Sequence, residues 1–336
     1  MKRITQGILL AIACLVAAGS AYAQSAATRS ASSGQDYPAR PVRMIVPFAP
    51  GGASDFVARI LQPKLGEVLG QQIVVDNRAG ASGNIGVEIA ARAAADGYTV
   101  FLGNIGTMAI NPSVFPKFPI RPLRDFISVT QVVDVPGALA IHPSVPAATV
   151  KEFIEYAKPR PGQLNYGSSG AGAAQRLAFE YFMSKAGINL VHIPYKGGAG
   201  AATTALLAGE VAATMVTVAS FIPHLKSGRV KLIGVIAPKR VAALPDTPTL
   251  AESGFPELTI GSWQGVYVPA GTPRPIVKRL YAVVIKVMGD PWVIERLGIG
   301  GADVITSKSP EEFTAFMKAQ NDFWAKIVKE TGAAAE

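Results

Sequence analysis

Short apolar runs recur along the chain, and segments with helical spacing of apolar residues lie between many of them. Most runs end in Gly, Pro or Asn; they are RMIVPF, QQIVVDN, YTVFLGN, ALAIHP, LNYG, LVHIPY, VAATMVTV, VKLIGVIA and GVYVPA. Short apolar runs closed by turn residues predict β-strands. Strands that alternate with helices predict an α/β fold with parallel layers.

Two capping boxes mark helix starts. Thr149 and Glu152 have the spacing in which a hydroxyl and a carboxyl cap a first helical turn. Ser309 and Glu312 repeat it, with Pro310 at the first helical position. The helix after Ser309 carries an apolar stripe, which predicts packing in the core rather than a cofactor site. The stripe consists of Phe313, Phe316, Met317, Trp324, Ile327 and Val328.

The first apolar run passes into a helical segment through a glycine pair, in the sequence MIVPFAPGGASDFVARIL at residues 44–61. The first N–H groups of a helix have no partner within the helix, and the helix dipole attracts anions to that end. Gly51 and Gly52 carry no Cβ, so a ligand can approach their backbone closely. The pattern indicates an anion-binding turn, and the alternative is a tight turn that binds nothing.

Similar junctions occur at two further places. Residues 192–207 read HIPYKGGAGAATTALL, in which Gly-Gly-Ala again follows a proline and an aromatic residue, and residues 166–182 read YGSSGAGAAQRLAFEYF. In open α/β sheets, ligands bind outside the carboxyl ends of the strands, where such turns lie. Three junctions of this kind favour a ligand-binding function.

The N-terminal segment MKRITQGILLAIACLVAAGSAYA has basic residues, an apolar stretch and Ala-Tyr-Ala in the order of a cleavable secretory signal. We expect residues 1–23 to be the signal peptide and residues 24–36 to be a flexible leader, so that the mature chain starts near Gln24. Removal of Lys2 and Arg3 with the signal lowers the formal net charge from +9 to +7. The single cysteine, Cys14, is removed as well, which leaves no disulfide or thiolate metal site.

Several functional classes lack their motifs in this sequence. Basic residues are not clustered, so nucleic acid is disfavoured as a partner, whereas a mildly cationic surface attracts anionic solutes. Neither Ser168 nor Ser169 lies in a G-x-S-x-G nucleophile motif. His142, His192 and His224 lack metal-ligand spacing, and the glycines of GASGNIG do not match a dinucleotide-binding motif. We therefore predict no metal, no cofactor and no enzymatic activity.

An ordered set of motifs, from about Tyr37 to the C-terminus, resembles one protein family. The motifs are VPFAPGGASDFVAR, GQQIVVDNRAGASGNIG, DGYTVFLGN, NYGSSGAG, HIPYKGG, LPDTPTLAESGFP and VYVPAGTP. In this order they resemble the Bug-type periplasmic solute-binding proteins of tripartite tricarboxylate transporter systems. The resemblance implies an α/β fold of two domains, each a sheet flanked by helices. The domains would close on a small organic carboxylate like a Venus flytrap of type II-like topology.

The resemblance also implies where the ligand binds. Members of the family hold the carboxylate largely through backbone groups and ordered waters at the turns after the first strands of each domain. The positions that match are Phe48, Ala49, Pro50, Gly51, Gly52, Asp55, Asn104, Ser168, Ser169, Gly170, Ala171 and Tyr195. Asp55 is expected to cap or brace its turn, while Asn104 has an alternative role in a turn and Tyr195 in packing.

The chain departs from the family pattern after the second-domain turn. Where relatives often place a hydroxyl and a histidine, residues 173–176 read AAQR. Arg176 could supply charge there or face solvent. Because of this difference, the identity of the ligand does not follow from the resemblance.

We expect domain 1 to comprise residues 37–137 and 239–336, and domain 2 to comprise residues 138–238, with hinges near ALAIHP and LIGVIAP. The expected protein is a periplasmic monomer that captures a small organic acid and delivers it to the membrane permease subunits of a transporter. Two alternatives stay open from the residues: a ligand-sensing receptor that signals to a membrane partner, and a secreted hydrolase that uses carboxylates.

Overall fold

The computed structural model describes residues 37–115, 117–170, 173–195, 198–258 and 261–332. The expected signal peptide, the expected leader and the candidate site residue Ala171 lie outside these ranges. Within them, every helix is too short or too polar to cross a bilayer. The same ranges contain no group of three or more His, Cys, Asp or Glu side chains that could hold a metal ion.

Eleven strands and ten α-helices, with a few short 3-10 and π turns, make up the described fold. The strands are β1 (Val42–Val46), β2 (Ile73–Asn77), β3 (Thr99–Asn104), β4 (Phe126–Val135), β5 (Gly137–Ile141), β6 (Asn165–Ser168), β7 (Val191–Pro194), β8 (Ala213–Thr217), β9 (Lys231–Ile236), β10 (Ser262–Pro269) and β11 (Asp303–Val304). The helices are α1 (Ala53–Leu69), α2 (Asn84–Ala91), α3 (Asn111–Val114), α4 (Pro122–Asp125), α5 (Val150–Ala157), α6 (Ala174–Ala186), α7 (Gly198–Leu207), α8 (Arg274–Met288), α9 (Pro291–Ile299) and α10 (Pro310–Thr331).

The strands form two sheets. The first has six strands in the order β11-β4-β10-β3-β1-β2, and the second has five in the order β7-β6-β8-β5-β9. Only Pro136 separates β4 of the first sheet from β5 of the second, and the chain crosses back between β9 and β10. The predicted α/β fold with two helix-flanked sheets is confirmed. The domain boundaries at 137/138 and 238/239 stay a prediction.

The layers are parallel only in part, so both sheets are mixed. β1 runs parallel to β2 and β3, and β6 runs parallel to β7 and β8. However, β10 is antiparallel to β3 and β4, and β5 is antiparallel to β8 and β9. Parallel neighbours require a crossover connection, usually a helix. The chain changes sheets between β4 and β5 and between β9 and β10, so no crossover joins these strands to their sheet neighbours and they can run antiparallel to them.

All nine predicted strands are present, but β4 and β11 are not among them. Polar residues interrupt the apolar run of β4, although Ser128, Thr130 and Gln131 are all buried. β4 lies between β11 and β10 inside the first sheet, so its polar residues are covered like its apolar ones. Burial at such a position depends on tertiary contacts that the apolar pattern does not encode.

Both predicted helix caps are confirmed. Thr149 Oγ1 accepts a 3.2 Å hydrogen bond from the Glu152 N–H, and Ser309 Oγ accepts one of the same length from the Glu312 N–H. The predicted stripe of α10 is in the core, with Phe316 partly buried and the other five side chains buried. One continuous cluster of buried side chains includes Phe101 of the first sheet and Leu139 of the second.

Candidate functional site

The glycine turn after β1 places Gly51 in the left-handed region, with φ of +82°. A left-handed backbone favours glycine there, although a Cβ at this position would meet no atom within 4 Å. Gly52 precedes α1, and no side chain caps the start of this helix. Phe48 is half-buried, whereas Ala49 and Pro50 are exposed. The turn therefore presents an open stretch of backbone followed by a helix start that no side chain caps.

Asp55 braces this turn from the first turn of α1. Its Oδ2 atom accepts a 2.9 Å hydrogen bond from the Gly51 N–H and a 2.8 Å bond from Arg59 Nε. Asn77 Nδ2, at the end of β2, donates to Asp55 Oδ1 and to the Phe48 carbonyl, each over 3.0 Å. Asp55 thus joins the turn, the helix and the neighbouring strand, and it takes up the Gly51 N–H that the sequence offered to an anion.

The pKa of Asp55 reflects this arrangement. Burial acts to raise the pKa of the carboxyl, but the hydrogen bonds from Arg59, the Gly51 N–H and Asn77 outweigh it, so the pKa lies below its usual value. The side chain therefore stays ionised at neutral pH, with its charge compensated by Arg59. A fixed anion paired in this way supports the turn without presenting free negative charge to a ligand.

Asn104, at the carboxyl end of β3, forms a compact turn with Thr107. The Thr107 N–H donates to Asn104 Oδ1 over 3.0 Å, and the Asn104 N–H donates to Thr107 Oγ1 over 3.1 Å. The side-chain carbonyl oxygen of Asn104 is therefore already hydrogen-bonded, which agrees with the alternative role of Asn104 in turn formation. Its Nδ2 amino group has no hydrogen-bond partner among the described residues and is the part that could donate to a ligand.

The segment of residues 80–86, which leads into α2 and had no role predicted from the sequence, packs on the turn after β1. Its glycines are required for close packing: a Cβ on Gly83 would lie 2.6 Å from Thr107 Cγ2, and a Cβ on Gly86 would lie 2.7 Å from Pro47 Cα. Between Gly80 and Gly83, Ala81 and Ser82 have φ of +47° and +56°. Non-glycine residues rarely adopt such angles, and they cluster at functional sites. The spacing G-x-x-G-x-x-G in GASGNIG was the sequence signal for this loop.

Ser168 and Gly170 form the turn after β6 in the second sheet. Ser168 is only 1% exposed, and its Oγ lies 2.6 Å from His192 Nε2 and 3.2 Å from the Gly170 N, which donates to it. The His192 ring stacks on Tyr166. Burial and the nearby Arg176 charge lower the pKa of His192 to about 4, so the ring is neutral at physiological pH. His192 was expected to be isolated; instead it fixes the predicted binding residue Ser168.

The remaining second-sheet candidates have separate surroundings. Ser169 is half-buried next to Ser168. Tyr195 packs its ring 3.2 Å from the Cβ position of Gly167 and donates from its hydroxyl to Glu210 Oε2 over 3.3 Å, which matches its alternative packing role. Arg176 forms an ion pair with Glu180 at 2.8 Å, and the Tyr166 hydroxyl donates to the same carboxyl oxygen. The charge of Arg176 is thus paired on α6.

The turns of the two sheets lie close together. A Cβ on Gly170, after β6, would be 3.8 Å from Ser82 Oγ, in the loop that packs on the first turn. Gly170 has φ of +122°, which again favours glycine. The structure therefore brings the Ser168–Gly170 turn next to the segment of Ser82, which in turn packs on Pro47 of the first turn. It leaves the Tyr195 ring packed on Gly167 and Val211 within the second sheet.

Known proteins are similar to this chain over most of its length. Residues 57–333 match the family model of the tripartite tricarboxylate transporter family receptor, TctC. The protein BugT of Bordetella pertussis is 36% identical over 302 residues, which cover 90% of this chain and 92% of BugT.

Two solved structures have the same fold over nearly their whole length. The periplasmic binding protein BugD is 36% identical, with a TM-score of 0.82 over 89% of this chain and 100% of BugD. MatC from Rhodopseudomonas palustris, solved with bound malate, is 31% identical, with a TM-score of 0.81 over 87% of this chain and 100% of MatC. The chain therefore belongs to the substrate-binding receptors of the tripartite tricarboxylate transporter family.

Proposed function

We propose that this receptor binds a small organic carboxylate in the periplasm and delivers it to the membrane permease subunits of a tripartite transporter. The observation that carries the proposal is the approach of the Gly170 turn, after β6, to Ser82, in the segment that packs on the turn after β1. The malate bound to MatC supports a carboxylate as the ligand class. The N-terminal signal-like segment supports export to the periplasm.

Neutral donors suit the proposed ligand. Helix starts attract anions because their N–H groups lack partners and the helix dipole is positive there. α1 begins at such an end without a side-chain cap, and Asn104 Nδ2 lies at the end of β3. Hydrogen bonds to a carboxylate are charge-assisted and stronger than bonds between neutral groups. A few of them, with burial on closure, are sufficient for micromolar binding at about −8 kcal/mol.

We further propose that the two sheets belong to separate domains, residues 37–137 with 239–336 and residues 138–238, which close on the ligand as a monomer. Support comes from the two chain crossings, at Pro136 and between β9 and β10, which are the natural hinges. Hinge closure around a ligand usually involves only a few residues at such connections.

A serine in contact with a histidine, as in the Ser168–His192 pair, also occurs in hydrolases, but the geometry of this pair supports a structural role. A nucleophile must reach the substrate, whereas Ser168 is 1% exposed and its Oγ already accepts from the Gly170 N–H. We therefore propose that the pair shapes the binding turn and that the receptor is not an enzyme.

Native mass spectrometry of freshly purified protein, followed by thermal-shift screening, tests the function. Mono-, di- and tricarboxylates would be compared with their amides and with neutral sugars. A ligand at about 100 times its dissociation constant stabilises the folded protein by roughly 2.7 kcal/mol, so its melting temperature should rise. The proposal is wrong if an amide or a sugar stabilises the protein and no carboxylate does.

A further inference from the structure

Gln264 on β10 is a buried amide whose hydrogen-bonding groups are unused. Its side chain is 0% exposed, and neither Nε2 nor Oε1 has a hydrogen-bond partner in the described part of the chain. Buried polar groups in native proteins are almost always paired, and an exception needs a physical reason. Such an amide destabilises the fold unless another molecule binds it.

The register of the first sheet locates this amide beside the candidate site. Gln264 lies directly opposite Asn104, the last residue of β3, and opposite side chains of paired strands share a face. Asn77, which bonds to Asp55 of α1, lies on the same face of the sheet. It pairs with Val46 of β1, and the register between β1 and β3 puts Val46 on the same face as Asn104. Gln264 is therefore at the carboxyl edge of the sheet, on the face where α1 begins.

Two local features mark this edge. On β4, Val133 pairs with Gln264 and Gln131 pairs with Gly265. Val132 is left between these pairs and forms a β-bulge beside Gln264. Bulges are over-represented next to functional sites, where they redirect side chains. The sheets also touch nearby: a Cβ on Gly301, just before β11, would lie 3.1 Å from Val218 Cγ1. Separation of the sheets at the hinges would open this edge to a ligand.

The chemistry of an amide narrows the ligand class. A carboxylate only accepts hydrogen bonds, so it can satisfy Nε2 but not Oε1. A ligand with a hydroxyl or amino group next to the carboxylate offers both an acceptor and a donor. We propose that Gln264 contacts the ligand and selects organic acids that carry a hydroxyl or amino group beside a carboxylate. This inference rests on the proposed carboxylate function and adds the ligand's second polar group.

Titration calorimetry with matched acids tests the inference. Malate and aspartate would be compared with succinate, and citrate with tricarballylate, on the wild type and on Gln264→Met. We expect the wild type to prefer the hydroxy or amino member of at least one pair by about tenfold or more, since a site that pairs a ligand hydroxyl rejects the analogue without it. Gln264→Met should lose this preference through weaker binding of the hydroxy or amino acid, with little change for the plain acid.

Gln320→Met provides the matched control. Gln320 is also a buried amide, but its Oε1 accepts from Trp263 and Trp324 on the α10 side of the sheet. This variant should melt at a lower temperature and keep the wild-type preference. Gln264→Met should melt at or above the wild-type temperature, because it removes an unpaired buried group.

Each result decides the question. Carboxylates that bind wild-type protein without preference in any pair overturn the inference and leave the proposed function intact. Equal weakening of both members of a pair in Gln264→Met shows an indirect structural effect and also overturns it. Absence of binding by every carboxylate tested removes the proposed function together with the inference. The wild-type preference can be measured even if the variant does not fold.

Discussion

Asp134 at the end of β4 combines a buried carboxyl oxygen with a neighbouring acid. Its Oδ1 atom is shut off from solvent without a well-formed hydrogen bond in the described residues, and a Cβ on Gly261 would lie only 2.5 Å from it. Burial is the main reason why the pKa of Asp134 rises to about 7; the Gly261 N–H opposes the rise and the charge of Asp303, opposite on β11, adds to it. We therefore predict that ionisation of Asp134 destabilises the fold.

The size of the effect follows from the shift. The pKa moves from 3.8 to about 7 on folding. Each pKa unit corresponds to about 1.4 kcal/mol, so the full penalty at high pH is about 4 kcal/mol as an upper limit, because Asp134 keeps some contact with solvent. A raised folded-state pKa gives stability that is complete below the unfolded value and is lost as pH rises to about 7. Between pH 5 and pH 8, Asp134 should cost the fold about 2 to 3 kcal/mol.

Urea unfolding of wild type and Asp134→Asn at pH 5, 6, 7 and 8 measures this penalty. The amide cannot ionise, so the stability of the variant relative to wild type should increase by about 2 to 3 kcal/mol across this range. Asp303→Asn, which retains Asp134, should lower the pKa of Asp134 and reduce the loss at high pH. Parallel pH curves for wild type and Asp134→Asn would refute the reasoning.

Asp55→Ala breaks three hydrogen bonds and should destabilise the protein by about 2 to 4 kcal/mol in urea unfolding. In the wild type this contribution to stability should fade as pH falls through the lowered pKa of Asp55, and an unchanged unfolding midpoint in the variant would contradict the bracing role. Gly86→Ala should lower the melting temperature because backbone lies 2.7 Å from the new Cβ, whereas Gly66→Ala, with its nearest neighbour at 3.5 Å, should gain about 1 kcal/mol of helix propensity; equal melting temperatures would refute the packing argument. Ser309→Ala should cost about 1 kcal/mol through loss of the α10 cap, measured by urea unfolding, and Ser309→Thr should restore most of it.

The first turn shows how far local reasoning about the site extends. A glycine turn that leads into a helix follows from residues adjacent in the chain, and the structure has both, with Gly51 in the left-handed region and α1 starting at Ala53. Asp55 was expected to cap or brace this turn, and its carboxyl accepts a hydrogen bond from the Gly51 N–H. The bond from Asn77 of β2, which also holds this carboxyl, depends on assembly of the sheet and was not predictable from the sequence.

The turn after β6 contains a contact that could not be predicted from the sequence. The ligand contact of Ser168 stays a prediction, but the bond of its hydroxyl to His192, 24 residues away on β7, was not foreseen. Parallel pairing of β6 and β7 places Ser168 beside Pro194 and Tyr166 beside His192. This register depends on sheet assembly, which no spacing motif records, so a histidine that looked isolated became part of the site.

The sequence by itself determined the fold class, the positions of nine strands, two capped helices and the family resemblance. These features depend on local periodicity, turn residues and capping, which act within a few positions of the chain. Tertiary structure alone decided which strands run antiparallel, how Gly170 comes near Ser82, and why the polar residues of β4 and Gln264 are buried. Such contacts join residues far apart in sequence, and the free energy of burying or pairing them exists only after both sheets have formed.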